Sequence, residues 1–158
     1  MANTFSHCYF HIVFAPDISK SFIDKSWSQN LEIFITSVVQ GNGHKMIAVK
    51  CMPDHVHIFI GYNLDQKIPD LVKVIKTTST KWIKENYFCS NSFSWQRGYG
   101  AFTHVRSTIN NVYQYIMNQE LHHKKRSFKD EFLSFLNKND SKYDEKYLFD
   151  FIDSTNTF

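Results

Sequence analysis

The chain has 158 residues, 42% of them apolar, with 15 Phe and only 5 Gly and 3 Pro; this composition excludes a disordered tail or a collagen-like repeat and fits one domain with a real core. No apolar run approaches the roughly 20 residues that cross a bilayer, and the opening MANTFSHCYFHIVFAPD has no cationic segment followed by a long apolar one, so a soluble cytosolic chain is expected. The net charge is +3, but residues 137–158 hold three Lys and five acids, which leaves residues 1–136 at +5; such basic stretches suit either a polyanionic partner or plain solvated helix faces.

CYFHIVF, stopped by Ala15-Pro16-Asp17, reads as a buried strand. Residues 26–40 follow as a helix with Leu31, Ile33, Phe34, Ile35, Val38 and Val39 on its apolar face, ended by Gly41-Asn42-Gly43. Residues 45–52 and 55–62 are strands on either side of the tight Pro53-Asp54 corner and should form an antiparallel hairpin. A second helix is expected over 69–86, with Pro69 in its first turn and Leu71, Val74, Ile75, Thr78 and Trp82 as its buried stripe. The aromatic stretch FSWQRGYGAFTH at 93–104 suggests a strand with a bulge or a close approach at its glycines. A third helix is expected from 108 to about 124, and SFKDEFLSFL and DEKYLFDFI read as short amphipathic helical pieces.

The order β α β β α β α defines an α+β fold: a split βαβ antiparallel sheet, ferredoxin-like or RRM-like, with helices on one face and an added C-terminal helix. We expect a single domain, with a core over 1–126 and a helical tail over 127–158. Three destinations are open for that acidic, aromatic tail: the core, the functional site or a partner subunit. Cys8, Cys51 and Cys89 are odd in number and widely spaced, with no CxxC, as expected of reduced structural thiols.

The sharpest local feature is Pro53-Asp54-His55-Val56-His57. On a strand, residues two apart share a face about 6.6 Å apart, so His55 and His57 can converge on one ion. The other reading, two hydrogen-bonded imidazoles on a half-exposed sheet face, stays open. On the third helix, Ile109, Val112, Tyr113, Ile116 and Glu120 fall on one side, which makes Tyr113 a core aromatic, while Tyr115, Gln119 and His122 form a separate stripe. Tyr115 and Gln119 lie one turn, about 6 Å, apart and face the same way. Two imidazoles and one amide oxygen make a three-ligand site with open positions, able to hold a divalent ion against a phosphate oxygen. The phenol beside it is then a nucleophile whose attack on a phosphodiester leaves a covalent phosphotyrosine.

With Trp95-Gln96-Arg97-Gly98-Tyr99-Gly100 between these two motifs and His122-His123-Lys124-Lys125 after them, the chain resembles the single-tyrosine HUH transposases of small insertion sequences, which include relatives associated with repeated palindromes. The resemblance implies that Tyr115 cleaves single-stranded DNA at hairpin-bearing ends and stays linked to the 5′ phosphate, leaving a free 3′ hydroxyl. His55, His57 and Gln119 would hold Mg²⁺ or Mn²⁺. It further implies a cytoplasmic, nucleoid-associated homodimer, in many members with the tyrosine helix of one subunit completing the other's site. Pro16-Asp17-Ile18 stands where many members carry basic residues after the first strand. Lys73, Lys76, Lys84, Arg97, Lys124, Lys125 and Arg126 are the candidate phosphate contacts, and Trp95 and Tyr99 are expected in the core. Two alternatives remain: a domesticated HUH nickase acting on dispersed palindromes, and a nonenzymatic nucleic-acid-binding domain with a structural His pair.

Overall fold

The structure is a computed structural model and describes residues 3–86, 88–89 and 93–152. Strand β1 (Cys8–Phe14) lies inside a four-stranded antiparallel sheet with β2 (Lys45–Met52), β3 (His55–Tyr62) and β4 (Gly100–His104), in the order β2-β3-β1-β4. This is the split βαβ arrangement that the element order predicts. β3 is central and is covered on both faces from His55 to Ile60, which is why its sequence reads as a nearly continuous apolar run with histidines at alternate positions.

Helices α1 (Lys25–Gly41) and α2 (Ile68–Glu85) cover one face. Asp24 caps α1 by accepting from the Ser26 backbone N–H at 2.8 Å, and Trp27, Leu31, Ile35 and Val39, one turn apart, pack against Val56, Ile58 and Ile60 of β3 and their neighbours. Ile33, assigned above to the apolar face of α1, is instead 66% exposed. The buried stripe of α2 is Leu71, Val72, Ile75, Ser79 and Ile83; Val74, Thr78 and Trp82 sit at its half-buried margin. Ser79, one turn beyond Ile75, is accommodated in the stripe with its hydroxyl accepting the Trp95 indole N–H at 2.9 Å.

Residues 93–104 do not form one bulged strand. Only Gly100–His104 is a strand, and Trp95 makes an isolated bridge to Pro16. Lys76 Nζ donates to the carbonyls of Gln96 and Gly98 at 2.8 and 2.6 Å, and Gly98 takes φ +82°, so the intervening loop is tied to α2 rather than to the sheet. At Gly100 a Cβ would come within 2.9 Å of both Phe102 and Phe132, the close approach expected of a glycine in this stretch. Trp95 is half-buried against Phe14 and Phe93, and Tyr99 packs at the core margin.

The opposite face is crossed by α3 (Ile109–Met117), whose Val112 and Ile116 pack on Ala48 and Phe59. The single helix expected to about residue 124 breaks at Asn118 (φ −95°, ψ 22°) and resumes as α4 (Gln119–His123). Tyr113 is not a core aromatic; it is 38% exposed. Helix α5 (Phe128–Lys138), capped by the Ser127 hydroxyl, then returns over the sheet. Phe128 stacks on His55 with centroids 4.2 Å apart, and Phe135 meets His11 and Phe102. Phe149 and Phe151 close over Phe128 and Phe132. The described part of the tail thus packs on the core and covers the His pair. The cysteines carry no disulfide. Among the described residues no helix is long and apolar enough to cross a membrane.

Candidate metal and nucleophile site

The tight Pro53-Asp54 turn delivers β3 with His55 and His57 on the face away from α1 and α2, both fully buried. Each ring is held from behind. His55 Nδ1 donates to Asp54 Oδ1 at 2.7 Å, and His57 Nδ1 shares a 2.7 Å hydrogen bond with His11 Nε2 of β1, on which it also stacks. Both Nε2 atoms are thereby turned to the same side, the arrangement in which outer partners orient ligating imidazoles.

Opposite them stand residues from three helices. Gln119 Oε1 accepts from His55 Nε2 at 3.3 Å and from His123 Nε2 at 2.8 Å. Glu131 of α5, 0% exposed, accepts from His57 Nε2 at 2.9 Å and lies 3.5 and 3.7 Å from the Nε2 atoms of His123 and His55. The Tyr115 hydroxyl donates to the second Glu131 oxygen and accepts from Arg126 Nη2 at 3.1 Å. Its ring stacks on His122. One ligand atom each from His55, His57, His123 and Glu131 falls within 4.8 Å of all the others, a set able to hold a metal ion.

Burial alone would raise the Glu131 carboxyl, but hydrogen bonds from His123 and His57 and the charge of the imidazoles override it and hold it well below the usual carboxylate range. Burial depresses His55, yet the hydrogen bond and charge of Asp54, with Glu131, carry it above its ordinary value. His57 stays lowered because burial outweighs the pull of Glu131. Burial, then the charge and hydrogen bond of Glu131, push the Tyr115 phenol up to about 12 against the opposing Arg126. With α5 docked, the Tyr115 phenol keeps its proton, which it donates to Glu131.

Of the residues singled out in the sequence, Tyr115, His55, His57 and Gln119 are brought together. Lys73, Lys84, Arg97, Lys124 and Lys125 are exposed. Lys76 is not a free cation: its ammonium is bound to two carbonyls and burial lowers it to about 8. Arg126, assigned to phosphates above, faces the Tyr115 hydroxyl. Sequence reasoning missed His11, His123 and Glu131. His123 was legible as the residue one turn beyond Gln119, and Glu131 as an acid on the Phe128, Phe132, Phe135 stripe. His11 was not, because its partner depends on the β1–β3 register, Val13 opposite His57.

The sheet carries on one face a buried His, His, His and Glu cluster able to hold a metal ion, with a tyrosine hydroxyl beside it. Residues 4–119 match the family model described as "Transposase IS200 like", and the chain belongs to that family. It is similar to the ISDra2 transposase TnpA of Deinococcus radiodurans, 25% identical over 117 residues that cover 70% of this chain and 82% of the relative. A Deinococcus radiodurans R1 crystal structure assigned as a transposase shares the fold with a TM-score of 0.58 and 23% identity, covering 75% of this chain and 95% of that one. A REP-associated tyrosine transposase bound to a REP hairpin shares it at a TM-score of 0.58 and 14% identity, covering 78% and 72% respectively.

Proposed function

We propose that this IS200-family transposase cleaves and rejoins single-stranded DNA through a covalent 5′-phosphotyrosine at Tyr115. The observation that carries this reading is that the Tyr115 hydroxyl reaches the buried His55–His57 pair within one chain, separated from it only by the Glu131 carboxylate. The converging donors fit a divalent ion: His55, His57 and Gln119 would hold Mg²⁺ or Mn²⁺, with His123 and Glu131 within reach of the same point. When bound, such an ion withdraws charge from the scissile phosphate and so favours attack by a weak nucleophile.

The protein's own residues do the rest. Asp54 and His11 keep the two imidazoles in register. Arg126 donates to the phenol oxygen and favours its ionised form once Glu131 has withdrawn. The phenol gives up its proton and its oxygen bonds to phosphorus as the 3′ oxygen departs and takes up a proton, so the number of phosphoester bonds is conserved and a later 3′ hydroxyl can reverse the step without a nucleotide cofactor. The hairpin in the REP-associated neighbour supports hairpin-bearing single strands as the substrate. Lys73, Lys84, Arg97, Lys124 and Lys125 would supply salt-dependent phosphate contacts that position the strand without reading it. The Tyr115 hydroxyl and the His pair meet within one chain, a geometry compatible with action in cis in each subunit of a homodimer.

Incubation of the full chain with a hairpin-flanked oligonucleotide and Mn²⁺, followed by denaturing electrophoresis, tests the reading. A covalent protein–DNA band is expected that Tyr115→Phe abolishes and Tyr113→Phe retains. Hairpin binding with no such band under any divalent ion would return the chain to a nonenzymatic role.

A further inference from the structure

The four donors on this face form a more closed set than a catalytic ion needs. His55, His57 and His123 each present Nε2 and Glu131 presents Oε1, with all four ligand atoms within 4.8 Å of one another. The three Nε2 atoms lie 3.7, 2.9 and 3.5 Å from that oxygen. A tetrahedral ion bound at 2.0–2.1 Å separates its ligand atoms by about 3.3 Å, and the observed spacings straddle that value. Three imidazoles and one carboxylate are a borderline-soft set suited to zinc; Mg²⁺ instead favours oxygen ligands and keeps several waters. Two of the imidazoles already carry the outer partners typical of such sites, Asp54 and His11.

We propose that the chain has a second, closed metal state in which Zn²⁺ is bound by His55, His57, His123 and Glu131, fastening α5 over the Tyr115 site. This assignment shares His55 and His57 with the nuclease reading but stands on its own donor set. The closed set replaces Gln119 with a histidine from α4 and a carboxylate from α5. All four positions are protein ligands, so no place remains for a phosphate oxygen. The Mg²⁺ or Mn²⁺ state and the zinc state therefore exclude one another, because both need the same two imidazoles. Zinc binding would add metal–ligand bonds to the aromatic packing that already seats α5, holding Glu131 against Tyr115.

The test uses the full chain stripped with a chelator, then titrated calorimetrically with Zn²⁺, Mn²⁺ or Mg²⁺ alone, with Co²⁺ absorption as a report on geometry. One Zn²⁺ per chain is expected, bound on the order of 100-fold or more tighter than Mn²⁺ or Mg²⁺, with the intense visible bands of tetrahedral Co²⁺. Glu131→Gln and His123→Ala should each weaken Zn²⁺ by more than the roughly 10- to 100-fold lost with an outer-shell partner. In the unmodified chain, Zn²⁺ should slow amide hydrogen exchange across α5, a reading that needs no variant. Weak octahedral Co²⁺ bands, or Zn²⁺ affinity unchanged in both variants, would overturn the proposal. The tyrosyl-adduct assay in Mn²⁺ is read separately, so failure of the zinc state and failure of the nuclease reading are told apart.

Discussion

The two faces of one sheet are built to opposite rules. Toward α1 and α2, β3 presents Val56, Ile58 and Ile60, which meet Leu31, Ile35, Leu71 and Ile75 in a core without charge. One residue along, the same strand presents His55 and His57 to a network of Asp54, His11, Gln119, His123, Glu131 and Tyr115. Both faces are equally buried, so burial does not separate them. What separates them is whether removing a side chain leaves a cavity or leaves partners without a hydrogen bond.

That contrast breaks most sharply at His57. His57→Ala should remove strand cleavage while hairpin binding in a band-shift assay changes little, since the proposed function puts the imidazole at the scissile phosphate and not the stem; equal loss of both would erase the division. On the other face, Ile58→Ala should cost about 2–5 kcal/mol of stability in urea unfolding with the folded fraction still able to form the tyrosyl adduct. Asp54→Asn acts through His55 and should weaken Mn²⁺ binding about 10- to 100-fold in calorimetry without unfolding the chain.

The smallest effect is on the pH dependence of stability. The Glu131 carboxyl is depressed in the folded chain, so its contribution is present above the ordinary value of 4.5 and is lost as pH falls below it. Glu131→Gln should therefore flatten the acid limb of the unfolding midpoint measured from pH 5 to 2. A limb as steep as in the unmodified chain would mean that Glu131 is not the group being protonated.

The apolar face was readable because it rests on local periodicity. β1, the β2–β3 hairpin and both covering helices fall where alternation and 3.6-residue spacing put them. Readings failed where a long-range partner overrode the local pattern. Lys76 ties down the loop that reads as a continuation of β4, and α3 seats on Ala48 and Phe59 through Val112 and Ile116, which leaves Tyr113 outside. The polar face was half readable. Tyr115, Gln119 and the His pair follow from spacing within single elements, whereas Glu131 and His11 enter only when α5 and β1 are set beside β3.

Mass-spectrometric mapping of the protein–DNA adduct formed in Mn²⁺ tests the central claim most directly. A nucleotide remnant on the tryptic peptide carrying Tyr115, fragmenting at that residue, is the predicted result. A remnant on Tyr113 or any other residue, or cleaved DNA with no protein attached, would contradict it.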